Sequence, residues 1–210
     1  MCNCMRTVLL VAAEAREFSG VLRRAAARKL EWPEAAFSRE IAWKRDRWLL
    51  VANGPGARLV RRVLARKRDV DLIVSVGFCG ALDPALRVGD IVDAERVFTA
   101  DRVAVTAVEK RILRKQTGAD AVEMEAGAVE AKAREWGTPF HCVKVVSDTA
   151  ADDLPLDFNK YRDSEGRFSR FRIAFAALRR PSALAGLMRL DKNCRRAAEE
   201  LGAFLANTSI

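Results

Sequence analysis

Three carboxylates hold positions from which they could do acid and base chemistry. Glu17 follows the first apolar segment of the chain, Glu125 stands at the start of a predicted helix, and Asp148 ends a predicted strand. Two acids that face each other across a cleft suit the cleavage of a glycosidic bond, because one protonates the leaving group while the other activates water. Acids at helix starts also complement the helix dipole, so spacing alone leaves an ordinary structural role open.

The segment 121–151 supplies the elements that must position two of these acids. Small and apolar residues recur at helical spacing after Glu125, until a glycine and a proline end the run. The apolar run 140–146 then predicts an interior strand, which delivers Ser147 and Asp148 at its carboxyl end. Ligands of open α/β sheets bind at that edge, so the sequence predicts a binding site there.

The rest of the chain alternates predicted strands and helices. An apolar strand at 7–13 precedes an amphipathic helix at 14–30, and a strand at 72–76 ends in the glycine-rich turn 77–80, which permits close backbone approach to a ligand. The other predicted elements are strands at 41–43, 48–52 and 88–98 and a helix at 57–68. This alternation predicts an α/β protein with a three-layer fold, in which helices flank a central mixed, twisted sheet.

The length and composition of the chain limit the number of domains and the class of protein. The 210 residues are most simply a single domain, 1–210, with a C-terminal helical tail from about residue 168. Half of the residues are hydrophobic, which excludes a disordered chain. Five cysteines without framework spacing favour a reducing, cytoplasmic setting. No apolar run reaches the roughly 18 residues that a membrane-spanning helix requires.

The net charge of +9 favours an acidic partner, such as phosphate, nucleic acid or an anionic membrane surface. The sequence shows no recognition helix and no aromatic ladder among its scattered arginines, so it predicts no nucleic-acid partner. Cys2 and Cys4 form a C-x-C pair, but with a single histidine in the chain a metal site there would lack ligands. The sequence therefore predicts neither a metal site nor a cofactor.

Several blocks resemble one enzyme superfamily, the nucleoside phosphorylases and methylthioadenosine/S-adenosylhomocysteine nucleosidases. Val122-Glu123-Met124-Glu125-Ala126, followed after one helix by Val146-Ser147-Asp148, is similar to the paired signature of that superfamily. The stretch 74–92, VSVGFCGALDPALRVGDIV, is similar to its glycine turn. With the N-terminal strand, these blocks cover most of residues 6–150. The tail 179–206 is similar to the hopanoid-biosynthesis-associated branch of nucleoside phosphorylases.

The resemblance implies a role for each matched residue. Glu17 would activate water, and Asp148 would donate a proton to N7 of a purine. Glu125 would bind the ribose hydroxyls, and Met124 would pack on the sugar. Because adenine leaves poorly until it is protonated, Asp148 would have to hold a proton near neutral pH, which partial burial at a strand end favours.

One departure from the family pattern concerns the nucleophile. The family's glycine turn carries a serine where this chain has Phe78, and a phenylalanine cannot bind phosphate. The side chain is then either a core aromatic or a wall of the substrate site. This departure favours water as the nucleophile, although Arg16, Arg23 or Arg58 would supply an anion site that the family pattern does not contain.

A second departure is the short connection between residues 97 and 101, where the family carries a longer excursion. Its loss leaves Val103 as the predicted base-packing residue. The predicted catalytic residues are thus Glu17 and Asp148, and the predicted substrate-binding residues are Phe78, Gly80, Val103, Met124, Glu125 and Ser147.

The resemblance implies an enzyme that releases adenine by cleaving the N-glycosidic bond of a nucleoside, as a hydrolase or as a phosphorylase. Methylthioadenosine, S-adenosylhomocysteine and a lipid-linked adenosine such as adenosylhopane are the predicted small-molecule partners, with phosphate as a further partner of a phosphorylase. The resemblance also implies a homo-oligomer, a dimer or larger. The alternative is a non-catalytic nucleoside-binding or scaffold protein that kept the fold.

The C-terminal region mixes apolar residues with arginines from residue 170 onward. Basic amphipathic helices bind anionic membrane surfaces, whereas a helix of a globular domain packs its apolar face on the core. The sequence favours the packed helix and leaves peripheral membrane contact as the alternative.

Overall fold

A computed structural model describes residues 5–208, and the Cys2 and Cys4 pair lies outside them. Over this range the chain forms nine strands and six α-helices. The strands are β1 (Thr7–Ala12), β2 (Ala27–Lys29), β3 (Phe37–Trp43), β4 (Asp46–Ala52), β5 (Leu72–Ala81), β6 (Ile91–Asp93), β7 (Val97–Thr99), β8 (Ala121–Glu123) and β9 (Phe140–Asp148). The helices are α1 (Ser19–Leu22), α2 (Ala57–Val63), α3 (Ala107–Thr117), α4 (Ala126–Trp136), α5 (Arg170–Leu178) and α6 (Pro181–Asn207).

The strands form one mixed sheet. Strands β4, β1, β5 and β9 lie side by side and parallel, so their carboxyl ends meet at one edge. Antiparallel pairing adds β3 and then β2 beyond β4, and β6 beyond β9. The last residues of β5 also pair with β8, which carries β7. The sheet therefore brings the ends of four parallel strands together, as the predicted site requires.

Helices cover both faces of the sheet and give the predicted three layers. One apolar core joins β1, β4, β5 and β9 to α1 and the C-terminal half of α6, through Val21, Ala197, Leu201 and Leu205. The core of the other face joins the sheet to α2 and α4, through Val60, Val63, Val129 and Trp136. The predicted α/β fold class is confirmed.

The predicted helix over 14–30 is wrong in its extent. A 3-10 turn at Ala15–Phe18 leads into α1, which ends at Leu22, and residues 27–29 form β2. Two constraints override the helical periodicity. An added Cβ at Gly20 would lie 2.0 Å from the backbone oxygen of Ala198, so α1 is held directly against α6. The following residues complete the sheet edge through hydrogen bonds with β3.

The predicted glycine turn at 77–80 is also wrong, because these residues belong to β5, which continues to Ala81. Pairing with β9 keeps them extended as far as Gly80, which is opposite Asp148. The helix predicted over 57–68 ends at Val63, and the strand predicted over 88–98 consists of β6, a 3-10 turn and β7. The strand predicted at 140–146 is confirmed as β9, which extends to Asp148.

The C-terminal region divides between packed and exposed helix. The predicted packing on the sheet holds for the last turns of α6, where Ala197 and Leu201 are buried. It is wrong for α5, whose Phe171 and Leu178 are exposed, because α5 packs against α6 and lies away from the sheet. No helix within residues 5–208 has the length and apolar character needed to cross a bilayer. The division into domains stays a prediction.

Candidate functional site

The carboxyl ends of the parallel strands open on a cavity of about 850 Å³. All eight residues predicted from the sequence line it, although they come from separate parts of the chain. They are Glu17, Phe78, Gly80, Val103, Met124, Glu125, Ser147 and Asp148. The sheet edge thus assembles the predicted set in one place, while the role of each residue stays a prediction.

A buried ion pair joins Glu123, which lines the cavity, to Lys144. The Lys144 ammonium on β9 lies 2.9 Å from Glu123 Oε2 and donates to the Val76 carbonyl at 3.3 Å. Burial by itself lowers the pKa of Lys144, but the surrounding carboxylates, Glu123 first, raise it above its usual value. Burial likewise raises the pKa of Glu123, but Lys144 and hydrogen bonds to the carboxylate bring it below its usual value. Both side chains therefore keep their charges inside the protein.

Glu123 also fixes the start of α4. Its Oε2 accepts hydrogen bonds from the backbone N–H groups of Glu125, at 2.9 Å, and Ala126, at 2.8 Å, and its Oε1 accepts from the Thr99 hydroxyl at 2.6 Å. Glu125 is thereby held as the residue that caps α4, with its side chain turned toward the loop between β4 and α2. There its Oε1 accepts a hydrogen bond from the Gly56 N–H at 2.8 Å.

Glu17 reaches the cavity from the 3-10 turn that follows β1. Its Oε1 accepts a hydrogen bond from the Glu14 N–H at 3.1 Å, which closes a capping box. Its Oε2 lies against Gly77 of β5, where an added Cβ would be only 1.8 Å away. Gly77 has a φ of 124°, a conformation that glycine adopts without strain. The glycine is therefore needed for the position of the carboxylate.

The carboxyl groups of Glu17 and Glu125 bind protons unusually tightly. Burial, followed by the charge of Glu125, raises the pKa of Glu17 to about 8. Burial also raises the pKa of Glu125 to about 7, although Lys144 opposes the change. Burial therefore favours the protonated forms of Glu17 and Glu125 near neutral pH, while Glu123 forms the ion pair with Lys144. Groups with such a pKa are suited to accept or donate a proton at physiological pH.

Asp148 is held by two donors at the end of β9. The Ser147 hydroxyl donates to its Oδ1 at 2.8 Å, and the Lys110 ammonium from α3 lies 2.5 Å from its Oδ2. Lys110 is completely buried and also donates to the carbonyls of Thr149, at 2.7 Å, and Asp152, at 3.1 Å. Asp148 therefore has a cation beside it, whereas the sequence predicted only partial burial of this acid.

Gly80 contributes space beside this acid. An added Cβ at Gly80 would lie 3.0 Å from Asp148 Oδ2, closer than carbon and oxygen normally approach. Phe78, two residues earlier on β5, both packs against the core and lines the cavity. The two alternatives for Phe78, a core aromatic and a wall of the site, therefore both describe it. The Arg16 guanidinium lies 5.7 Å from the centre of its ring.

The cavity has an acidic half and an apolar half. The acidic half lies at the strand ends and holds the carboxylates described above. The other half is formed by α5, α6 and the loop before them, and its apolar lining consists of Leu154, Phe158, Phe168, Ile173, Ala174, Ala177, Leu178, Leu184, Leu187 and Leu190. A ligand that fills the cavity would therefore place a polar end at the sheet and an apolar end between the C-terminal helices.

The three arginines predicted as an alternative anion site, Arg16, Arg23 and Arg58, do not form one in the structure. Arg23 pairs with Glu199, and Arg58 donates to the Ser164 carbonyl, and neither lines the cavity. Arg16 does line it, but it forms an ion pair with Glu14 at 2.7 Å. Arg102, the other arginine in the lining, pairs with Glu109. Within the described part of the chain, each cavity arginine already faces a carboxylate.

Sequence reasoning missed Lys144 and Lys110. Lys144 was detectable, because a lysine inside an apolar strand needs a buried carboxylate partner, and Glu123 of the recognised motif supplies it. Lys110 gave no such signal, since α3 is rich in charged residues and nothing marks the one that points inward. In residues 5–208, no three histidine, cysteine, aspartate or glutamate side chains cluster as metal ligands would.

Comparisons with known proteins agree with this architecture. A family model described as the phosphorylase superfamily matches residues 96–207. No protein of curated function matches the sequence.

Several solved structures share the fold. An S-adenosylhomocysteine nucleosidase from Streptococcus pyogenes, in complex with 5-methylthiotubericidin, has a TM-score of 0.70 and 17% identity over 100% of both chains. A 5′-methylthioadenosine/S-adenosylhomocysteine nucleosidase from Neisseria meningitidis has a TM-score of 0.70 and 18% identity, over 96% of this chain and 97% of the other. A futalosine hydrolase from Helicobacter pylori has a TM-score of 0.68 and 12% identity over 96% of each chain. At these identities the likeness concerns the fold.

The raised pKa of Glu17 predicts that Glu17→Gln stabilises the protein at high pH. The pKa of Glu17 is about 8 in the folded protein against an ordinary value of 4.5, so the folded state binds this proton more tightly than the unfolded chain. Stability is therefore lost as pH rises through this interval, and glutamine has no proton to lose. By calorimetry, the variant should melt roughly 5 °C or more above the parent at pH 9, with a smaller gain at pH 5.

The exposed Glu95→Gln serves as the matched control and should leave the melting temperature unchanged at both pH values. A gain for Glu17→Gln that is the same at pH 5 and pH 9 would contradict the assignment of the proton to Glu17.

Proposed function

The chain belongs to the phosphorylase superfamily, and from that premise we propose that it hydrolyses the N-glycosidic bond of an adenine nucleoside. The observation that carries the proposal is the convergence of Glu17, Glu125 and Asp148 on one cavity at the carboxyl ends of the parallel strands. Each carboxylate reaches that cavity from a different element and is held there by its own hydrogen bonds. Ordinary helix-start acids would point to solvent, so their burial favours the chemical role.

Asp148 and Lys110 together serve the leaving group. As the bond between the ribose C1′ and the base breaks, its electron pair goes to the base, and a proton delivered to N7 makes adenine a better leaving group. Asp148 delivers that proton, and the Lys110 ammonium, 2.5 Å away, stabilises the carboxylate that remains after the transfer. The Ser147 hydroxyl fixes the other oxygen, so that Asp148 has one orientation.

Glu125 and Glu17 serve the sugar and the water. Glu125 accepts hydrogen bonds from the ribose hydroxyls, and its negative charge stabilises the cationic sugar of the transition state. Glu17 takes a proton from water as the water oxygen bonds to C1′, which yields free ribose bearing its 5′ group. The pKa of Glu17, about 8, lies close to physiological pH, which is where a general base is most efficient.

The charges around the cavity support water over phosphate. A phosphate would need unpaired cations, and the two arginines in the lining are engaged by Glu14 and Glu109. Phe78 occupies the position at which the family resemblance implies a serine. Neutral water therefore fits the site better than phosphate does.

The apolar half of the cavity supports an apolar group on the ribose 5′ carbon. Small-molecule sites typically span about 300–1,000 Å³, and this cavity lies toward the upper end of that range. Space therefore remains beyond a nucleoside, between α5 and α6. The ammonium and carboxylate of S-adenosylhomocysteine would find mostly alkyl and aromatic side chains there, which do not compensate buried charge. Methylthioadenosine and lipid-linked adenosine such as adenosylhopane fit that half better.

Adenine release is the measurement that tests this function. We expect release from methylthioadenosine, or from adenosine carrying a long alkyl chain at the 5′ position, at the same rate with and without phosphate. Asp148→Asn should lower the rate about 100-fold or more, because general acid catalysis contributes that much. The exposed Asp69→Asn is the matched control and should keep the parent rate.

Phosphate-dependent release would overturn hydrolysis and make the protein a phosphorylase. If every nucleoside bound without turnover, the alternative of a nucleoside-binding protein would hold. Equal rates for the parent and Asp148→Asn would contradict the acid assigned here. Circular dichroism of each variant separates a lost reaction from a lost fold.

Lys110 provides a separate test, because it acts through Asp148. Lys110→Met should lower kcat for adenine release roughly 10-fold to 100-fold with little change in KM. A p-nitrophenyl riboside has a leaving group that departs without protonation, so its hydrolysis should stay within about threefold of the parent. Lys110→Arg, which keeps the cation, should recover part of the lost kcat.

A fall of equal size for both substrates would mean that Lys110 only supports the fold. Melting curves of both Lys110 variants identify a sample that does not fold, and the arginine variant then supplies the comparison.

A further inference from the structure

Most of the large apolar side chains that are exposed lie in one part of the molecule. Of the eight such side chains in residues 5–208, five lie on α5 and the first turns of α6. We name them the α5–α6 surface: Phe171, Phe175, Leu178, Leu184 and Met188. Phe171 is 81% exposed and Leu178 is 77% exposed, which is unusual for side chains of their size. Exposed apolar patches of this kind mark sites of contact with another protein or with a membrane.

The positive charge around this surface favours a partner that carries negative charge. Between residues 166 and 190 the chain has six arginines and no aspartate or glutamate. The Arg179 guanidinium lies 4.1 Å from the centre of the Phe175 ring, so charge and apolar surface are directly adjacent. Arg172 donates to the carbonyls of Arg162 and Lys160 rather than to a carboxylate. The described residues offer no carboxylate within ion-pair distance of Arg179 or Arg180.

The surface is continuous with the inside of the cavity. Leu178 and Leu184 belong to the exposed set and also line the cavity, as do Ile173 and Leu187 from the same two helices. The apolar half of the cavity therefore opens among the exposed side chains. A partner that covers the surface also covers that opening.

We propose that the α5–α6 surface docks on an anionic lipid bilayer. Interfacial helices insert apolar side chains at the boundary between headgroups and acyl chains, and arginines beside them bind lipid phosphates. A second copy of the chain fits less well, since a two-fold interface would bring together two patches that are rich in arginine and have no carboxylate between residues 166 and 190. The membrane supplies both the apolar phase and the negative charge that the surface lacks.

Docking gives the cavity direct access to the bilayer. An apolar 5′ group on a nucleoside could pass from the acyl phase between α5 and α6 without crossing water, while the nucleoside reached the acids at the sheet edge. This consequence rests on the proposed function, whereas docking itself does not.

Vesicle sedimentation without any nucleoside tests the docking. The protein should sediment with vesicles of phosphatidylcholine and phosphatidylglycerol, should stay in solution with phosphatidylcholine alone, and should lose binding as salt is raised. Arg179→Glu with Arg180→Glu should weaken binding about tenfold or more, because each arginine near an anionic surface contributes measurably to affinity. Arg45→Glu with Arg61→Glu changes the net charge equally at exposed sites elsewhere, and should keep most of the binding.

A second variant tests the apolar anchors. Phe171→Ser with Met188→Ser removes two exposed side chains that do not line the cavity, and should also reduce sedimentation. Asp148→Asn should sediment like the parent, so a failed function and a failed docking give different results.

Three results would overturn the proposal. The first is equal recovery with neutral and anionic vesicles, and the second is an equal loss in the Arg45 and Arg61 variant. The third is a parent that does not sediment with anionic vesicles. If its mass in analytical ultracentrifugation also fell on Phe171→Ser with Met188→Ser, the surface would be assigned to self-association, in line with the homo-oligomer predicted from the sequence.

Discussion

The ion pair between Lys144 and Glu123 is the constraint on which the arrangement of the site depends. The pair joins β9 to the end of β8 inside the protein, with 2.9 Å between Lys144 Nζ and Glu123 Oε2, where either charge alone would be costly. Because Glu123 also binds the first N–H groups of α4, the pair sets where Glu125 stands. Burial raises the pKa values of Glu17 and Glu125 to about 8 and about 7, although the nearby Lys144 ammonium opposes both changes.

Three further features of the fold shape the cavity around this pair. Parallel pairing aligns four strand ends, glycines at positions 77 and 80 make room for two carboxylates, and α5 and α6 close the other side with apolar residues. The result is a cavity that is acidic where a nucleoside would react and apolar where its 5′ group would lie. The oligomeric state and the cellular location stay predictions.

Much of this was predictable from the sequence. Local periodicity predicted the strand 140–146 and the helix after Glu125. The family resemblance predicted the residues that line the cavity. The predictions that failed depended on contacts between distant parts of the chain. The predicted helix over 14–30 is interrupted where Gly20 packs against α6. The predicted turn at 77–80 is instead extended, because β9 pairs with these residues. The burial of Lys110 was invisible for the same reason, since only the folded chain brings it to Asp148.

The measurement that tests the central claim most directly is cleavage of a 5′-substituted adenosine in water enriched in oxygen-18, followed by mass spectrometry of the sugar. Hydrolysis at this cavity predicts adenine together with a ribose that carries one labelled oxygen at C1′, because the water activated by Glu17 forms the new bond. A ribose 1-phosphate, or a sugar without label before any exchange with solvent, would contradict the account.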